Sequence, residues 1–547
     1  MHKSPPKLWS FPGGLRLQPN KAQSTKSPIW RHAIPKTIIL PLKQHIGDSA
    51  KALVKPGDYV YKGQPVARAV GYISAPVHAS TSGMVIEVSK QPLPHPSGLR
   101  AMSVVIETDG RDQWFEDRPQ PIEDYLKLDP ASLRIRVRDC GIVGLGGAAF
   151  PAAVKLTPEL KRPIETLIIN GVECEPYITC DDLLMRERPK AILEGIRIIC
   201  RALQIPRCIL AIEEDMPHAY KAMCNELGGN EEDGIRIISV PAIYPAGGER
   251  QLITTLLGKE VPSGGIPADI GIICHNVGTA AAVYRAVAFG EPMISRIVTV
   301  TGQGIKHPWN LEVLLGTPIA DVIKACGGYT EKVSRLIMGG PMMGFALSSD
   351  QAPVIKSTNC LLAASPSDVG TPAPAMPCIR CGECIRVCPA MLLPQELYYY
   401  SKARDFDKTK EYNLFDCIEC GCCAYVCPSN IPLVQYYRFA KNEIALLERQ
   451  KEAAELARRR HEYRQQRLAK EKRERDRRLA RKKAMLGGAD KAGKNSNQAI
   501  QAALERARKK KASLTTKQPK TTTDTNVTQQ GQTADEISPV KYKEQHP

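Results

Sequence analysis

No window of about 18 residues in this chain is both apolar and uncharged, the length a bilayer-spanning helix needs, so no span is expected in its 547 residues. The opening, MHKSPPKLWSFPGG, holds prolines and charges where a secretory leader would carry an apolar core. Eighteen cysteines without such a leader point to a reducing compartment. The body is also short of net charge. Of the chain's +18, residues 441–511 account for a surplus of 14, with 24 Lys/Arg against 10 Asp/Glu. Residues 512–547 balance at four of each sign, which leaves +4 for the first 440. The basicity belongs to a tail, and no aromatic or groove-reading motif accompanies it, so no specific nucleic-acid partner is expected. The length allows several domains, each with its own core.

What is abundant is cysteine in a pattern. CIRCGECIRVCP at residues 378–389 and CIECGCCAYVCP at 417–428 each read C-x2-C-x2-C-x3-C-P, and every cysteine of the first recurs 39 positions later. Soft thiolates at this spacing suit a cubane iron–sulfur cluster, three close cysteines wrapping it while the fourth crosses to the partner cluster. Cys378, Cys381, Cys384 and Cys427 are thereby assigned to one [4Fe-4S] cluster, and Cys417, Cys420, Cys423 and Cys388 to the other. The prolines after Cys388 and Cys427 turn the chain away from the metal. Ile379, Ile385, Val387, Ile418 and Val426 can keep water off the sulfurs. Zinc ribbons are the competing reading, but zinc needs two separated C-x2-C pairs and leaves the third cysteine, the proline and the duplication unexplained. Cys422 is surplus to both quartets. The helix-like stretch 390–416 between the motifs suggests the helical type of two-cluster ferredoxin domain.

Residues 1–36 read as an N-terminal arm, with Trp9, Phe11 and Trp30 as docking points. Residues 37–115 are strand-rich, with VKPGDYVYKGQPV at 54–66 and APVHASTSGMVIEV at 75–88. They resemble lipoyl and biotinyl carrier modules, a barrel-sandwich hybrid fold. No lysine stands between Gly71 and Val88 to carry a swinging arm, so the module reads as structural. His45 and His78 read as turn or core histidines. From 130 to 291, apolar β-like runs (167–170, 208–212, 235–240, 270–274) alternate with helical stretches (183–202, 216–227, 249–257, 279–288). That alternation predicts a Rossmann-like α/β domain, largely parallel, with its ligand at the carboxyl ends of the strands. Four polar, glycine-rich segments stand at such ends: GIVGLGGAAFP (141–151) leading into Lys155, NGVECEP (170–176), YPAGGER (244–250) and CHNVGT (274–279). Glycine lets backbone N–H groups approach a phosphate, and a helix N-terminus favours the anion. One such loop reads equally well as a tight turn; four at successive ends of one sheet point to a ligand site.

These four segments resemble the flavin-binding subunit of respiratory complex I, whose pattern runs G-R-G-G-A-G-F-P…K, N-x-x-E-x-E-P, Y-x-x-G-E-E and N-N-V-E-T. The resemblance implies non-covalent FMN, with Gly144, Gly146, Gly147 and Lys155 at its phosphate side, and NADH as substrate. It implies a pocket lined by Asn170, Glu173, Glu175, Tyr244, Gly247, Gly248, Glu249, Asn276 and Thr279, the two asparagines hydrogen-bonding the flavin ring edge or ribityl chain. Three positions depart: Leu145 replaces the arginine, Gly248-Glu249 replaces the paired glutamates, and Gly278 replaces the last glutamate. They bear on the nicotinamide half more than on the flavin half. Residues 295–350, with VTVTGQG at 298–304, GTPIADV at 316–322 and IMGGPMMG at 337–344, resemble the SLBB β-grasp module. Residues 353–377, rich in Ser, Pro and Ala, read as a linker, and 378–440 as the domain of two [4Fe-4S] clusters. In this order, from FPGGL at 11–15 onward, the modules resemble the C subunits of Rnf (or Rsx) ion-translocating electron-transport complexes. The duplicated motif separates the chain from the complex I protein, where one cluster follows the β-grasp module.

The resemblance implies a multidomain α/β and α+β protein, peripheral on the cytoplasmic side of the bacterial inner membrane and held by integral subunits of the same complex. It would take electrons from NAD(P)H at FMN and relay them singly through the clusters, in a complex that couples the flow to ion movement. Ferredoxin, or a system keeping a redox-sensing regulator reduced, would be the further partner. Orientation and tuning rather than acid–base chemistry are asked of the protein, so no catalytic residue is nominated. The alternative is an iron–sulfur adaptor without flavin. Residues 441–547 read as a charged helix over 442–486, a break at MLGG, a second helical piece over 498–511 and a polar low-complexity end. A solvated helix competes there with an electrostatic contact to anionic lipid or an acidic partner.

Overall fold

The computed structural model describes residues 7–514, except 158–162, 229–233, 371–372 and 490–495. The start of the arm and the polar end from residue 515 lie outside the described residues. The chain divides into two compact units, 1–447 and 448–547.

Alternating apolar positions build the first module. Ile38 and Leu40 on Thr37–Pro41 oppose Ile106 and Val104 on Arg100–Thr108, and all four are fully buried. Gly83–Pro92 and Tyr59–Val60 complete an antiparallel four-stranded sheet, and Lys51–Ala52, Pro65–Arg68 and Val77–His78 form a second sheet of three. His45 bonds the Ile46 carbonyl and the Ala75 amide, and His78 is fully enclosed, so both are internal side chains here.

The second module is a parallel sheet in the order Ile235–Val240, Cys208–Glu213, Thr166–Gly171, Ile272–Asn276. Leu167, Ile168 and Ile169 are all buried, as expected of a strand covered on both faces. Helices Pro189–Leu203 and Val277–Phe289 cross closely because Gly195 has no side chain; a Cβ there would lie 1.9 Å from the Ala280 carbonyl oxygen. The helix anticipated over 183–202 is two, Cys180–Glu187 and Pro189–Leu203. Pro189 has no amide hydrogen and pushes Arg188 out of helical geometry. The strand anticipated over 270–274 is displaced to Ile272–Asn276, because Gly271, at φ +76°, closes the turn Pro267–Ile270 before it.

The third module corrects two readings. Its six-stranded sheet runs Trp30–Arg31, Trp309–Leu314, Ser295–Thr301, Cys360–Ala364, Arg335–Met338, Phe345–Ala346. Part of the presumed linker 353–377 is therefore a central strand, Cys360–Ala364, fully buried between two neighbours; CLLAA is short enough to be hidden by the Ser/Pro-rich residues around it. The arm likewise supplies an edge strand through Trp30–Arg31, parallel to Trp309–Leu314.

In the cluster domain the sequence repeat is a backbone repeat. Positive φ recurs 39 positions apart at Arg380 and Glu419 (57° and 58°), Gly382 and Gly421 (80° and 82°), and Met391 and Asn430 (51° and 50°). Helices Pro394–Ala403 and Phe406–Glu411 fill the space between the motifs. The long helix Leu433–Ala489 starts earlier than anticipated, because Val434, Tyr437, Ala440 and Ile444 complete this domain's core with Leu397 and Leu414. It also continues through Gly487 and Gly488, where a break was anticipated; a second helix spans Ser496–Leu514. Among the described residues no helix is long and apolar enough to cross a membrane.

Candidate functional site

Asn170 and Asn276 sit in register at the carboxyl ends of adjacent parallel strands. From the Asn170 strand the chain builds outward through Cys208–Glu213 and Ile235–Val240, then returns on the other side as the Asn276 strand. This reversal is the switch point at which open α/β sheets bind ligands. Asn276 caps helix Val277–Phe289, its Oδ1 accepting from the Gly278 amide at 2.8 Å while its Nδ2 donates to Asp181 at 2.6 Å. Asn170 accepts from the Val172 amide at 2.9 Å and donates to the Gly247 carbonyl at 2.8 Å. Both side-chain amides thus shape the walls of the crevice.

The glycine-rich loop lies across the N-terminus of that helix. The Leu145 amide donates to Thr279 Oγ1 at 2.9 Å, and the Gly144 amide to the Phe150 carbonyl at 2.7 Å. The next three amides, of Gly146, Gly147 and Ala148, are exposed and find no acceptor among the described residues. Gly147 has φ +104°, accessible to glycine and costly for other residues. Three open N–H groups beside a helix N-terminus make an anion cradle, so the residues present fit the phosphate end of FMN. Lys155 donates to the Cys274 carbonyl at 3.0 Å and pairs with Glu249, the first residue of helix Glu249–Leu257, at 2.9 Å. Burial is the largest influence and acts to lower the Lys155 pKa, but Glu249 and Cys274 together outweigh it and raise it, so the ammonium stays charged. Gly248 caps the same helix, and a Cβ on Gly247 would lie 2.5 Å from the Val172 carbonyl oxygen.

Glu173 is buried and accepts from the amides of Asp181 and Asp182 at 3.0 and 3.2 Å and from the Cys180 thiol at 3.3 Å. Burial, with the Asp181 carboxylate second, pushes its pKa up to about 8. Arg296, buried beside these groups, donates to the Leu145 carbonyl at 2.6 Å and to that of Lys356, which ties the glycine loop to the third module. The remaining two candidates face elsewhere. Glu175 accepts from the Met342 and Met343 amides at 2.7 and 3.0 Å, in the IMGGPMMG turn. Tyr244 donates its hydroxyl to the Cys420 carbonyl at 2.6 Å. Glu175 and Tyr244 therefore connect this module to its neighbours, while the other eleven surround the strand ends.

The cysteines gather as two quartets. Cys378, Cys381, Cys384 and Cys427 line one cavity with Ile379, Ile385, Tyr398 and Ile431. Cys388, Cys417, Cys420 and Cys423 line another with Leu397, Ile418, Val434 and Tyr437. Amides point at sulfur in each: Arg380 to Cys378 at 3.4 Å and Leu392 to Cys388 at 3.3 Å. Four thiols, apolar walls and N–H···S donors are the environment a cubane cluster requires. Cys422 belongs to neither quartet; it is buried with Tyr244 and Cys420 against Leu15 and Met342.

A further element here was visible in the sequence only as an arm. The Gly14 amide donates to the Val387 carbonyl at 3.1 Å, and Leu15 exchanges backbone hydrogen bonds with Tyr244 at 2.8 and 2.9 Å. Gly13 has φ +65°, and a Cβ there would lie 2.6 Å from the Val387 carbonyl carbon. FPGGL thus straps the α/β module to the loop that carries Cys388. The paired glycines were the available signal; their partner was not.

Comparison with known proteins agrees with this architecture. The RnfC barrel sandwich hybrid domain matches residues 9–111, the Nuo51 FMN-binding domain 137–285, the SLBB domain 297–346 and the 4Fe-4S dicluster domain 377–431. The C subunit of the ion-translocating oxidoreductase complex of Pseudomonas aeruginosa is 49% identical over 85% of this chain, which spans 59% of that relative's length. Its counterpart from Pectobacterium atrosepticum is 44% identical over 92% of this chain and 71% of its own. Among solved structures, an NAD+-reducing [NiFe]-hydrogenase in the H2-reduced state aligns with 59% of this chain and 63% of its own at TM-score 0.41 and 18% identity, too loosely to carry an argument. With fold, module order and relatives in agreement, the chain belongs to the RnfC family, the C subunits of ion-translocating oxidoreductase complexes.

Proposed function

We propose that this chain is the flavin- and cluster-bearing subunit of a membrane-bound electron-transport complex that couples electron transfer to ion translocation. In this reading NAD(P)H is the donor, and integral subunits of the same complex hold the chain at the cytoplasmic face of the inner membrane and exchange electrons with it. Electrons are linked beyond the complex to ferredoxin or to a system that keeps a redox regulator reduced. FMN would supply exchange between hydride and single electrons, and two [4Fe-4S] clusters would each carry one electron.

The chain's own residues do the rest. The amides of Gly146, Gly147 and Ala148, the start of helix Val277–Phe289 and Lys155 would hold the flavin phosphate. Asn170, Asn276, Gly247 and Thr279 fix the crevice walls, and the buried Glu173 and Arg296 brace them from behind the glycine loop. Cys378, Cys381, Cys384 and Cys427 would ligate one cluster, and Cys388, Cys417, Cys420 and Cys423 the other, with the buried Ile431 and Val434 keeping water from sulfur. The carrying observation is the hydrogen bond from Tyr244 of the α/β module to the carbonyl of Cys420 in a cluster quartet. It supports the reading because the α/β and cluster modules touch there, as an electron relay needs. Anaerobic purification with iron and flavin quantitation, then titration with NADH and NADPH, tests the reading. About eight irons and one FMN per chain are expected. A preparation with iron but no flavin band near 450 nm, whose clusters nicotinamide nucleotides leave oxidised, would instead be an iron–sulfur adaptor.

A further inference from the structure

The two halves of the cluster domain are equivalent in sequence and backbone, yet among the described residues only one has its outer loop covered. In the second half, Cys420 is 7% exposed and clusters with Tyr244 and Cys422, against which Ile418, Leu15 and Met342 pack. A Cβ added to Gly421 would lie 3.0 Å from the Met342 carbonyl oxygen. The α/β and β-grasp modules sit on this loop. Thirty-nine positions earlier the same loop is bare. Cys381 is exposed, Ile379 is 68% exposed, and a Cβ on Gly382 would meet nothing within 4 Å. Met376, 59% exposed, Ile385 and Tyr399 extend the uncovered apolar surface around it. The charge differs as well: Glu419 is held by Arg438 and Lys441, whereas Arg380, its counterpart, is exposed.

A cluster's potential and lifetime depend on excluding water from its sulfurs, and clustered apolar side chains beside an exposed ligand thiol mark a surface meant to be covered. We propose that the Ile379–Gly382 loop is a second docking face, built on the plan of the first. Its occupant is a protein domain carrying a one-electron redox centre, which presents an apolar face flanked by acidic groups toward Arg380. Electrons then cross the cluster domain between two equivalent contacts, the α/β module at Cys420 and the partner at Cys381. The claim rests on the proposed function, since it requires both quartets to hold clusters.

The test uses the full chain in its assembled membrane complex, with Met376→benzoylphenylalanine as a photocrosslinker and Met376→Glu as a charge placed in the contact. Crosslinking to a protein subunit that carries a redox cofactor is expected. So is at least a tenfold slower transfer from the nicotinamide-reduced chain to the rest of the complex in Met376→Glu, while both clusters of the purified variant are still reduced as in wild type by electron paramagnetic resonance. Crosslinks confined to lipid, to this chain or to a subunit without a redox centre would overturn the proposal, as would unchanged transfer in Met376→Glu. Failure of the purified wild-type chain to reduce its clusters would instead sink the underlying function, and so is told apart.

Discussion

The hydroxyl of Tyr244 donates to the backbone carbonyl of Cys420 across 2.6 Å, joining the α/β module to one quartet of thiols. Both residues are buried, and the same tyrosine exchanges backbone hydrogen bonds with Leu15 of the arm. Tyr244→Phe keeps the ring and removes the donor, leaving a buried carbonyl without that partner, at a cost of about 1 kcal/mol. Loss of a donor beside a cluster that gains negative charge on reduction makes its potential more negative, by up to about 40 mV for one electron. Potentiometric electron paramagnetic resonance should show one cluster shifted downward and the other unmoved.

The crossing of the fourth ligands gives a second prediction. Cys388 lies in the first motif but lines the cavity of Cys417, Cys420 and Cys423, while Cys427 lies in the second and lines the cavity of Cys378, Cys381 and Cys384. Cys388→Ala should therefore damage the cluster held by the second motif and spare the first, and Cys427→Ala the reverse. Iron content should fall toward about four per chain in each, with different spectra remaining. Damage confined to the mutated motif's own cluster would refute the crossing.

The glycine loop separates strain from crowding. Gly147 has φ +104° with open space around it, whereas a Cβ on Gly146, whose φ is not positive, would meet the Asn276 Cβ at an ordinary 3.4 Å. Gly147→Ala should cost about 1–3 kcal/mol of loop conformation and weaken FMN binding roughly tenfold or more. Gly146→Ala should change it far less. Flavin fluorescence quenching on titration measures both.

Stability should depend on pH through Lys356. Its ammonium nitrogen is enclosed, donating to the carbonyls of Pro76 at 2.9 Å and Gly141 at 2.7 Å, and so links three modules. Burial lowers its pKa from 10.5 to about 7. Between those values the unfolded chain binds more protons than the folded one, so stability rises with pH from about 7 toward 10.5. Nearby His78 is lowered from 6.5 to about 3, by burial first and the Lys356 charge second, so stability falls as pH drops through that window. Calorimetric Tm against pH should lose the upper slope in Lys356→Met and keep the lower one. Parallel profiles would reject the assignment.

The cluster motifs were readable because ligation demands a fixed spacing, and the parallel strands because Leu167–Ile169 and Ile235–Val240 are apolar runs of strand length between helical patterns. Contacts between modules were not readable. Nothing local marks Tyr244 or Glu175 as reaching Cys420 and Met342 rather than the crevice, since the same motif types serve either use. CLLAA reads as linker until its neighbours in the sheet are known. Two departures from the complex I pattern prove to be neighbours: a Cβ on Gly278 would lie 3.4 Å from Leu145 Cδ1 and 3.5 Å from its Cβ. Leucine for arginine and glycine for glutamate thus act at one contact, which only three dimensions reveal.

The most direct measurement is rapid mixing of the anaerobic holo-chain with NADH, following flavin absorbance optically and the clusters by freeze-quench electron paramagnetic resonance. The account predicts bleaching of the flavin band, followed by signals from two reduced four-iron clusters within the single chain. Flavin that is reduced while both clusters stay oxidised would contradict it.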